Sequence, residues 1–180
     1  MNRELILLIG MPGAGKSTIG KILASRLGYD FYDMDIYIQE VTNKSIKELF
    51  AISEEYFRDW ESKACIDLSK RKRTVIASGG GIVKRKENID AFKDVATIIY
   101  IDRSVENILN DIRVDSRPLL MNGKSRLYNL YKERQDLYNK YCHYKIENKG
   151  TLDEVLENII EGISNPLSSQ FKVHSAQFRK

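Results

Sequence analysis

The chain has 180 residues, of which 42% are apolar and 9% aromatic, with a formal net charge of +4. This length suffices for one well-buried core and is too short for two ordinary domains, so we expect a single domain. No apolar run approaches the roughly 18 residues of a membrane span, and no signal-peptide layout is present, which predicts a soluble cytoplasmic protein.

Lys172, Arg179 and Lys180 carry positive charge in a final stretch without acids. The rest is close to neutral, which argues against nucleic-acid binding. Cys65 and Cys142 lack metal-ligand spacing, so we expect reduced thiols.

The chain opens with a short apolar run, LILLI at 5–9, followed at once by a glycine-rich stretch. Such a run is typical of a strand that is buried on both faces of a parallel sheet. After the glycines, four apolar side chains recur on one helical face: Ile19, Ile22, Leu23 and Leu27. Gly28 then provides a helix stop signal. The sequence therefore predicts a strand, a loop and a helix in succession.

The loop itself, GMPGAGKS at 10–17, matches the pattern G-x-x-x-x-G-K-[ST]. Its glycines let backbone N–H groups wrap the phosphates of a nucleotide, while Lys16 reaches the β- and γ-phosphates and the Ser17 hydroxyl is a ligand for Mg²⁺. A GTPase also needs the base reader Asn-Lys-x-Asp, but NKSI at 43–46 has Ile46 in place of the aspartate. We therefore expect ATP, with Mg²⁺, as the nucleotide.

Three further strands are predicted downstream. They are YDFYD, ending near Asp33, TVIAS at 74–78 and ATIIYI at 96–101. Between and after them, polar caps predict helices that begin at Ser45, Ser53, Ser104 and Thr151, the last one continuing through Ile163. Strands that alternate with helices at this spacing indicate right-handed crossovers and a parallel sheet covered on both sides.

Two polar features follow predicted strands. Asp33 and Asp35 come after the second strand, and the carboxyl ends of parallel strands line the ligand crevice. One carboxylate there can support Mg²⁺ through water while the other accepts the proton of a substrate hydroxyl, although an Asp-x-Asp is also common as a cap or turn. Gly79–Gly81 follows the third strand. Three successive glycines are costly in backbone entropy, which indicates close approach to a ligand.

Two other segments bear on the acceptor. Arg58 and Glu61 lie three residues apart and share one helix face, opposite the stripe that carries Phe57. On their own they are most simply interpreted as a surface ion pair. DSRPLL at 115–120 is a polar segment between two predicted helices. Such a segment can be a mobile lid whose arginine closes on the γ-phosphate.

In this order, these residues closely resemble the shikimate kinase family, a member of the P-loop nucleoside-monophosphate-kinase-like group. Six motifs occur at the family's spacing between residue 3 and about residue 163: GMPGAGKST, FYDMD, ELF...EEYFR..E, IASGGG, RPLL and RQDLY. The resemblance implies a three-layer α/β/α fold with a central parallel sheet of about five strands and a mobile lid at about 112–124. It also implies transfer of the ATP γ-phosphate to the 3-hydroxyl of shikimate, in the pathway to chorismate and the aromatic amino acids.

The resemblance further implies roles for individual residues. Nucleotide would be bound by Gly13, Ala14, Gly15, Lys16, Ser17, Thr18 and Arg117. Shikimate would be bound by Asp35, Arg58, Gly79, Gly80, Gly81 and Arg134, the two arginines clamping its carboxylate. Lys16, Asp35 and Arg117 would be the catalytic residues, with Asp35 as the base or orienter of the attacking oxygen. Ser17, and Asp33 through water, would hold Mg²⁺.

The sequence departs from the family at three places. Ser53 stands where glycine is common, which affects the turn there. Asn110 stands where some members place an arginine beside the adenine, so that contact falls to Arg113 or to nothing. Residues 164–180 extend past the usual end as a tail that we expect to be loosely held, leaving 1–163 as the kinase domain. The family precedent predicts a monomer.

Rival interpretations share the loop and the lid. Gluconate kinases lack this combination of FR..E, GGG and a downstream R...Y, and nucleotide kinases need a base-reading pocket that we do not locate in the sequence. A nucleotide-binding protein without catalysis is the alternative from another class. Such proteins usually lose a phosphate or metal group, whereas all of those groups are present here.

Overall fold

The computed structural model describes residues 3–111 and 123–165 of the chain. Its centre is a parallel sheet of five strands, which are β1 Leu5–Ile9, β2 Asp30–Asp33, β3 Thr74–Ala77, β4 Ala96–Asp102 and β5 Tyr144–Glu147. The order across the sheet is β2-β3-β1-β4-β5. All five side chains of β1 are buried, as expected for a central strand covered by helices on both faces. The predicted α/β fold with a five-stranded parallel sheet is confirmed.

Helices flank this sheet. The described α-helices are α1 Lys16–Leu27, α2 Met34–Thr42, α3 Ile46–Ile52, α4 Glu54–Leu68, α5 Lys86–Asp90, α6 Val105–Asp111, α7 Gly123–Tyr141 and α8 Leu152–Ser164. A short 3₁₀ turn at Ile82–Lys84 precedes α5. No helix in the described part of the chain combines the length and the apolar character that crossing a membrane requires.

The helix boundaries that the caps predict are confirmed. At each predicted start, the hydroxyl oxygen of the capping residue accepts a hydrogen bond from the backbone N–H three residues later in the chain. The pairs are Ser45 with Glu48, Ser53 with Tyr56, Ser104 with Asn107 and Thr151 with Glu154. Each satisfies a donor that has no partner within its helix. Gly28 ends α1 in the left-handed region at φ 65°, where a glycine has no steric penalty.

Two elements differ from the sequence prediction. α2 begins at Met34, directly after β2, because the Asp33 side chain accepts hydrogen bonds from two backbone N–H groups of the new helix. No connecting residues separate the two elements, so the cap signal of Asp33 is the one local mark of the change. β5 was not located from sequence because Tyr144–Glu147 has four residues, alternates in burial and lies at the sheet edge.

The sheet order brings the sequence motifs to one edge. β1 pairs with β3 in parallel, with Leu8 opposite Ala77, and β2 pairs with β3, with Asp33 opposite Ala77. The carboxyl ends of these three strands therefore lie side by side. The phosphate-loop motif follows β1, the triple glycine follows β3, and the two aspartates lie at the end of β2 and the start of α2. The predicted lid at about 112–124 and the tail from 166 lie almost entirely outside the described residues.

Candidate functional site

The loop at 10–17 has the backbone that its glycines predict. Gly10, Gly13 and Gly15 have φ values of 144°, 82° and 92°, in a region that other residues rarely adopt. A Cβ on Gly10 would lie 2.5 Å from the Ile101 carbonyl oxygen, so the loop also packs too closely against β4 for a side chain. Gly15 is the N-cap of α1 and supplies no side-chain cap. The first N–H groups of α1 and the positive end of the helix dipole therefore face the loop.

Lys16 projects into this loop from the first position of α1. Its residue is only 7% exposed, and its Nζ donates to the carbonyl oxygens of Gly10 and Met11 at 2.9 and 2.8 Å. The ammonium group is therefore held within the concave side of the loop. A lysine in this position is a point charge for the phosphates of a nucleotide.

Ser17 and Asp33 meet across the crevice. The Ser17 hydroxyl donates to Oδ2 of Asp33 at 2.6 Å, while Oδ1 of Asp33 accepts from the backbone N–H groups of Asp35 and Ile36. One carboxylate thus caps α2 and reaches the phosphate loop, so the cap interpretation and the metal interpretation of Asp33 are compatible. A hydroxyl and a carboxylate supply the hard oxygen donors that Mg²⁺ prefers, so this pair fits that ion.

Asp35 lies in the first turn of α2, between the phosphate loop and the triple glycine. A Cβ on Gly79 would lie 3.0 Å from its Oδ1. Burial raises the pKa of the Asp35 carboxyl, and the Asp33 carboxylate raises it further, while Lys16 and Arg58 lower it. The groups that act on Asp35 therefore come from both sides, Lys16 from the nucleotide loop and Arg58 from α4.

The Arg58–Glu61 pair is buried, so its interpretation as a surface ion pair is wrong. Arg58 is 7% exposed and Glu61 is 1% exposed, and Nη1 of Arg58 donates to Oε2 of Glu61 at 2.8 Å. Arg58 also does not lie opposite Phe57, because its Cζ is 5.1 Å from the centre of that ring and 5.9 Å from that of Phe50. A Cβ on Gly81 would overlap the Arg58 guanidinium. The triple glycine therefore packs against this helix face.

Arg134 approaches the triple glycine from α7. Its Nη1 donates to the Gly80 carbonyl oxygen at 3.1 Å, and the Tyr138 hydroxyl donates to the same oxygen at 2.5 Å. The Nε of Arg134 is buried and has no hydrogen-bond partner among the described residues. A buried donor without a partner costs about 1–3 kcal/mol. An anionic ligand that accepted from this N–H would remove that cost.

The comparisons with known proteins agree with this geometry. The family model described as Shikimate kinase matches residues 12–164. The chain belongs to the shikimate kinase family. A shikimate kinase from Clostridium botulinum (strain Alaska E43 / Type E3) is 54% identical over 163 residues, which cover 91% of this chain and 99% of that protein. A second, from Clostridium beijerinckii, is 46% identical and covers 92% of this chain and 98% of its own length.

A solved structure also resembles this member of the shikimate kinase family. The shikimate kinase of Acinetobacter baumannii, in complex with shikimate, superposes with a TM-score of 0.84 at 36% identity. The match covers 91% of this chain and 95% of that chain. The resemblance stated from the six motifs is therefore confirmed.

The structure brings together most of the residues that the shikimate kinase resemblance selects. Asp35 lies against Gly79, Arg134 is bonded to Gly80, and Arg58 lies against Gly81. Arg117 and Arg113 lie outside the described residues. Asn110 is exposed on α6. The adenine contact therefore stays a prediction.

Two residues at the site were not selected from sequence. Tyr138 is part of the RQDLY motif but was given no role. Asn148 follows β5, where its backbone N–H donates to the Asp102 carbonyl at 2.6 Å and its Nδ2 donates to the Ala14 carbonyl at 2.8 Å. A polar residue at the carboxyl end of a parallel strand is a usable signal. That signal was missed because β5 was not located.

Proposed function

We propose that this chain transfers the γ-phosphate of ATP to the 3-hydroxyl of shikimate, giving shikimate 3-phosphate and ADP. The observation that carries the proposal is the position of Asp35. It lies beside the triple glycine that both arginines contact, and its pKa responds to Lys16 of the phosphate loop as well as to Arg58. A donor loop and an acid-binding pocket thus border one carboxylate. Family membership supports the same reaction.

The donor side consists of residues 13–18. Their backbone N–H groups and the N-terminus of α1 are suited to wrap the phosphates, and Lys16 would move its ammonium from the carbonyls of Gly10 and Met11 to the β- and γ-phosphates. Phosphoryl transfer leaves little covalent chemistry to the protein, so positioning and charge neutralisation supply most of the rate enhancement.

Mg²⁺ would be held by the Ser17 hydroxyl and, through water, by Asp33. When bound, the ion neutralises charge on the β- and γ-phosphate oxygens. The hydrogen bonds that the Asp33 carboxylate accepts from Ser17 and from the start of α2 would keep it aimed at that position.

The acceptor side suits a small ring with one carboxylate and several hydroxyls. Arg58 and Arg134 would grip the carboxylate, each charge-assisted contact contributing roughly 1.5–3 kcal/mol. The absence of side chains at Gly79, Gly80 and Gly81 would let the ring approach the backbone. Glu61 would hold the Arg58 guanidinium in place through their 2.8 Å contact.

Asp35 would orient the 3-hydroxyl and accept its proton during attack. Burial raises the pKa of this carboxyl, which makes it a better proton acceptor than an exposed aspartate. Arg117, in the predicted lid, would reach the transferring phosphate. An arginine of this kind can raise the rate on the order of 10³-fold or more.

An ADP-release assay with MgATP tests the proposal across shikimate, quinate, gluconate and nucleoside monophosphates. We expect turnover on shikimate at a kcat/KM at least about 100-fold above that on any other acceptor, because only a matched acceptor satisfies both arginines and Asp35. Preferred turnover on gluconate would identify a related small-molecule kinase. ATP binding without turnover on any acceptor would identify a non-catalytic nucleotide-binding protein.

We also propose that the protein acts as a cytoplasmic monomer and that the kinase domain ends near residue 163. Light scattering on purified protein tests the oligomeric state, with a mass near the 20.8 kDa of one chain expected. Turnover by a chain truncated after residue 165 tests the domain boundary. A loss of activity in the truncated chain would assign the tail a role in the domain.

A further inference from the structure

Tyr138 is a buried member of the RQDLY motif to which the proposed reaction gives no role. Its side chain is fully buried, and its ring stacks on Tyr100 with centroids 5.1 Å apart and planes at 28°. Its hydroxyl donates to the Gly80 carbonyl oxygen at 2.5 Å and lies 4.0 Å from Sδ of Met11 in the phosphate loop. The hydroxyl therefore contacts both the acceptor loop and the donor loop from α7.

The Gly80 carbonyl oxygen accepts two hydrogen bonds from one face of α7. Arg134 and Tyr138 are four residues apart, so their side chains are neighbours on the helix. With two donors on one oxygen, the orientation of the peptide between Gly80 and Gly81 is determined by α7. Described peptide bonds are trans, so the Gly81 N–H points away from α7. The Arg58 guanidinium lies against this same residue, Gly81.

Gly80 needs such an external constraint more than most residues do. Its neighbours Gly79 and Gly81 have carbonyls that accept from the 3₁₀ turn, through the N–H groups of Ile82 and Lys84. None of the three glycines has a side chain that could fix the loop by packing, and glycine has the widest backbone freedom. The central peptide is thus held by groups 54 and 58 residues away in the chain.

The chemistry of the hydroxyl suits a permanent donor. Burial raises the pKa of Tyr138 to about 12, so the phenol stays protonated at neutral pH. Arg134, in contrast, uses Nη1 on the same carbonyl, while its Nε makes no hydrogen bond among the described residues and lies 3.8 Å from Oε1 of Glu133. The direction of Nε is coupled to the Gly80 carbonyl through the planar guanidinium.

We propose that Tyr138 is a positioning residue for the shikimate carboxylate, because its hydroxyl fixes the Gly80 carbonyl and thereby holds the Arg134 guanidinium, which donates to the same oxygen, against the triple glycine. The role rests on the proposed function for its ligand, but the arrangement of Gly80, Arg134 and Tyr138 belongs to the free protein. Without the hydroxyl, Arg134 becomes the single α7 donor on that oxygen and is free to rotate with the loop.

The variant Y138F removes the hydroxyl and keeps the ring. We expect it to raise the shikimate KM roughly tenfold, the effect of losing one well-placed hydrogen bond, while the ATP KM and kcat change less than about twofold. Y100F is the matched control. It removes a hydroxyl from the other ring of the stack, one that donates to Asp102 instead of Gly80. Equal effects of Y138F on both substrates, or the same effect from Y100F, would overturn the proposal.

A double-mutant cycle separates positioning from general stability. In an R134A background, adding Y138F is expected to raise the shikimate KM less than about twofold, because the group that the hydroxyl positions is gone. Additive effects of R134A and Y138F would contradict a role that acts through Arg134.

A measurement on the free protein keeps this inference distinct from the proposed function. We expect Y138F, and not Y100F, to shift the NMR resonances of the Gly81 amide and of the Arg134 Nε–H in the absence of any ligand. Unchanged resonances would overturn the positioning role even if shikimate is the substrate. Shifted resonances in a protein whose wild type does not phosphorylate shikimate would support the Gly80 arrangement and refute the assigned acceptor.

Discussion

The Arg58 guanidinium and the Glu61 carboxylate form a buried ion pair, with Nη1 and Oε2 2.8 Å apart. Phe50 and Phe57 stack on each other, with ring centroids 4.4 Å apart, and both lie close to the guanidinium. Burial raises the pKa of Glu61, and Arg58 opposes that shift. Each charge therefore depends on the other for its stability inside the protein.

Replacing Glu61 is expected to weaken both the fold and the site. E61A removes the buried carboxylate that pairs with Arg58 and leaves the exposed Glu54 as its salt-bridge partner, so we expect the free energy of unfolding to fall by about 3 kcal/mol. We also expect the shikimate KM to rise, because the guanidinium loses its fixed direction. Urea denaturation and steady-state kinetics measure the two effects. E55A, which removes an exposed carboxylate from the same helix, is the control and should change stability by less than about 1 kcal/mol.

The two arginines are expected to act on one substrate. R58A and R134A should each raise the shikimate KM about 10- to 100-fold and leave the ATP KM within about threefold, because each removes one half of a carboxylate clamp. R134K is the matched control, since it keeps the charge but loses the planar fork and the Nε donor. We expect it to fall between wild type and R134A. Equal changes in both KM values would contradict the clamp.

Local sequence patterns were sufficient for the first part of the fold. LILLI at 5–9, the glycine loop and the helix that ends at Gly28 are contiguous, and each is marked by a residue pattern within a few positions. The same holds for the capping boxes at Ser45 and Thr151. At Asp33, local patterns no longer locate the boundary between two elements. It ends a strand and caps a helix at once, and no turn residue separates the two elements.

The burial of the site could not be predicted from local patterns. Arg58 and Glu61 show the spacing of an ordinary surface pair, but the distant Gly81 lies against Arg58 and the distant Gly79 against Glu61. Likewise, the hydrogen bonds that Arg134 and Tyr138 donate to the Gly80 carbonyl span 54 and 58 residues of the chain. The resemblance to a family selected both arginines, whereas helix periodicity on its own placed Arg58 on the wrong side of Phe57.

Asn148 is expected to support nucleotide binding. Its Nδ2 donates to the Ala14 carbonyl in the phosphate loop, so N148A should loosen that loop and raise the ATP KM roughly fivefold, with the shikimate KM unchanged. N129A, at an exposed position of α7, is the control. A larger effect on shikimate than on ATP would show that Asn148 acts elsewhere.

The predicted lid gives a separate test. Closure over both substrates should lower protease cleavage between residues 112 and 124, because a segment held against ligand is less available for local opening. Limited proteolysis with and without MgADP and shikimate measures this. Cleavage that ligands do not change would indicate that the segment does not close on them.

Replacing Asp35 is expected to lower turnover. D35N should retain ATP binding but lower kcat by two or more orders of magnitude, because an amide cannot accept the proton of the attacking hydroxyl. Near-normal turnover would remove that role. Titration of MgATP by calorimetry checks that the phosphate loop is intact in the variant.

The same variant makes a prediction about pH. Burial raises the folded-state pKa of Asp35 above its ordinary 3.8, so the folded protein binds more protons than the unfolded chain at pH values between the ordinary pKa and the raised one. Stability associated with this group is therefore lost as the pH rises toward the raised pKa. The amide of the D35N variant has no such proton to lose. We expect D35N to gain stability relative to wild type between about pH 4 and pH 7, as urea denaturation at each pH would measure. A constant difference over that range would mean that the pKa of Asp35 is not raised by folding.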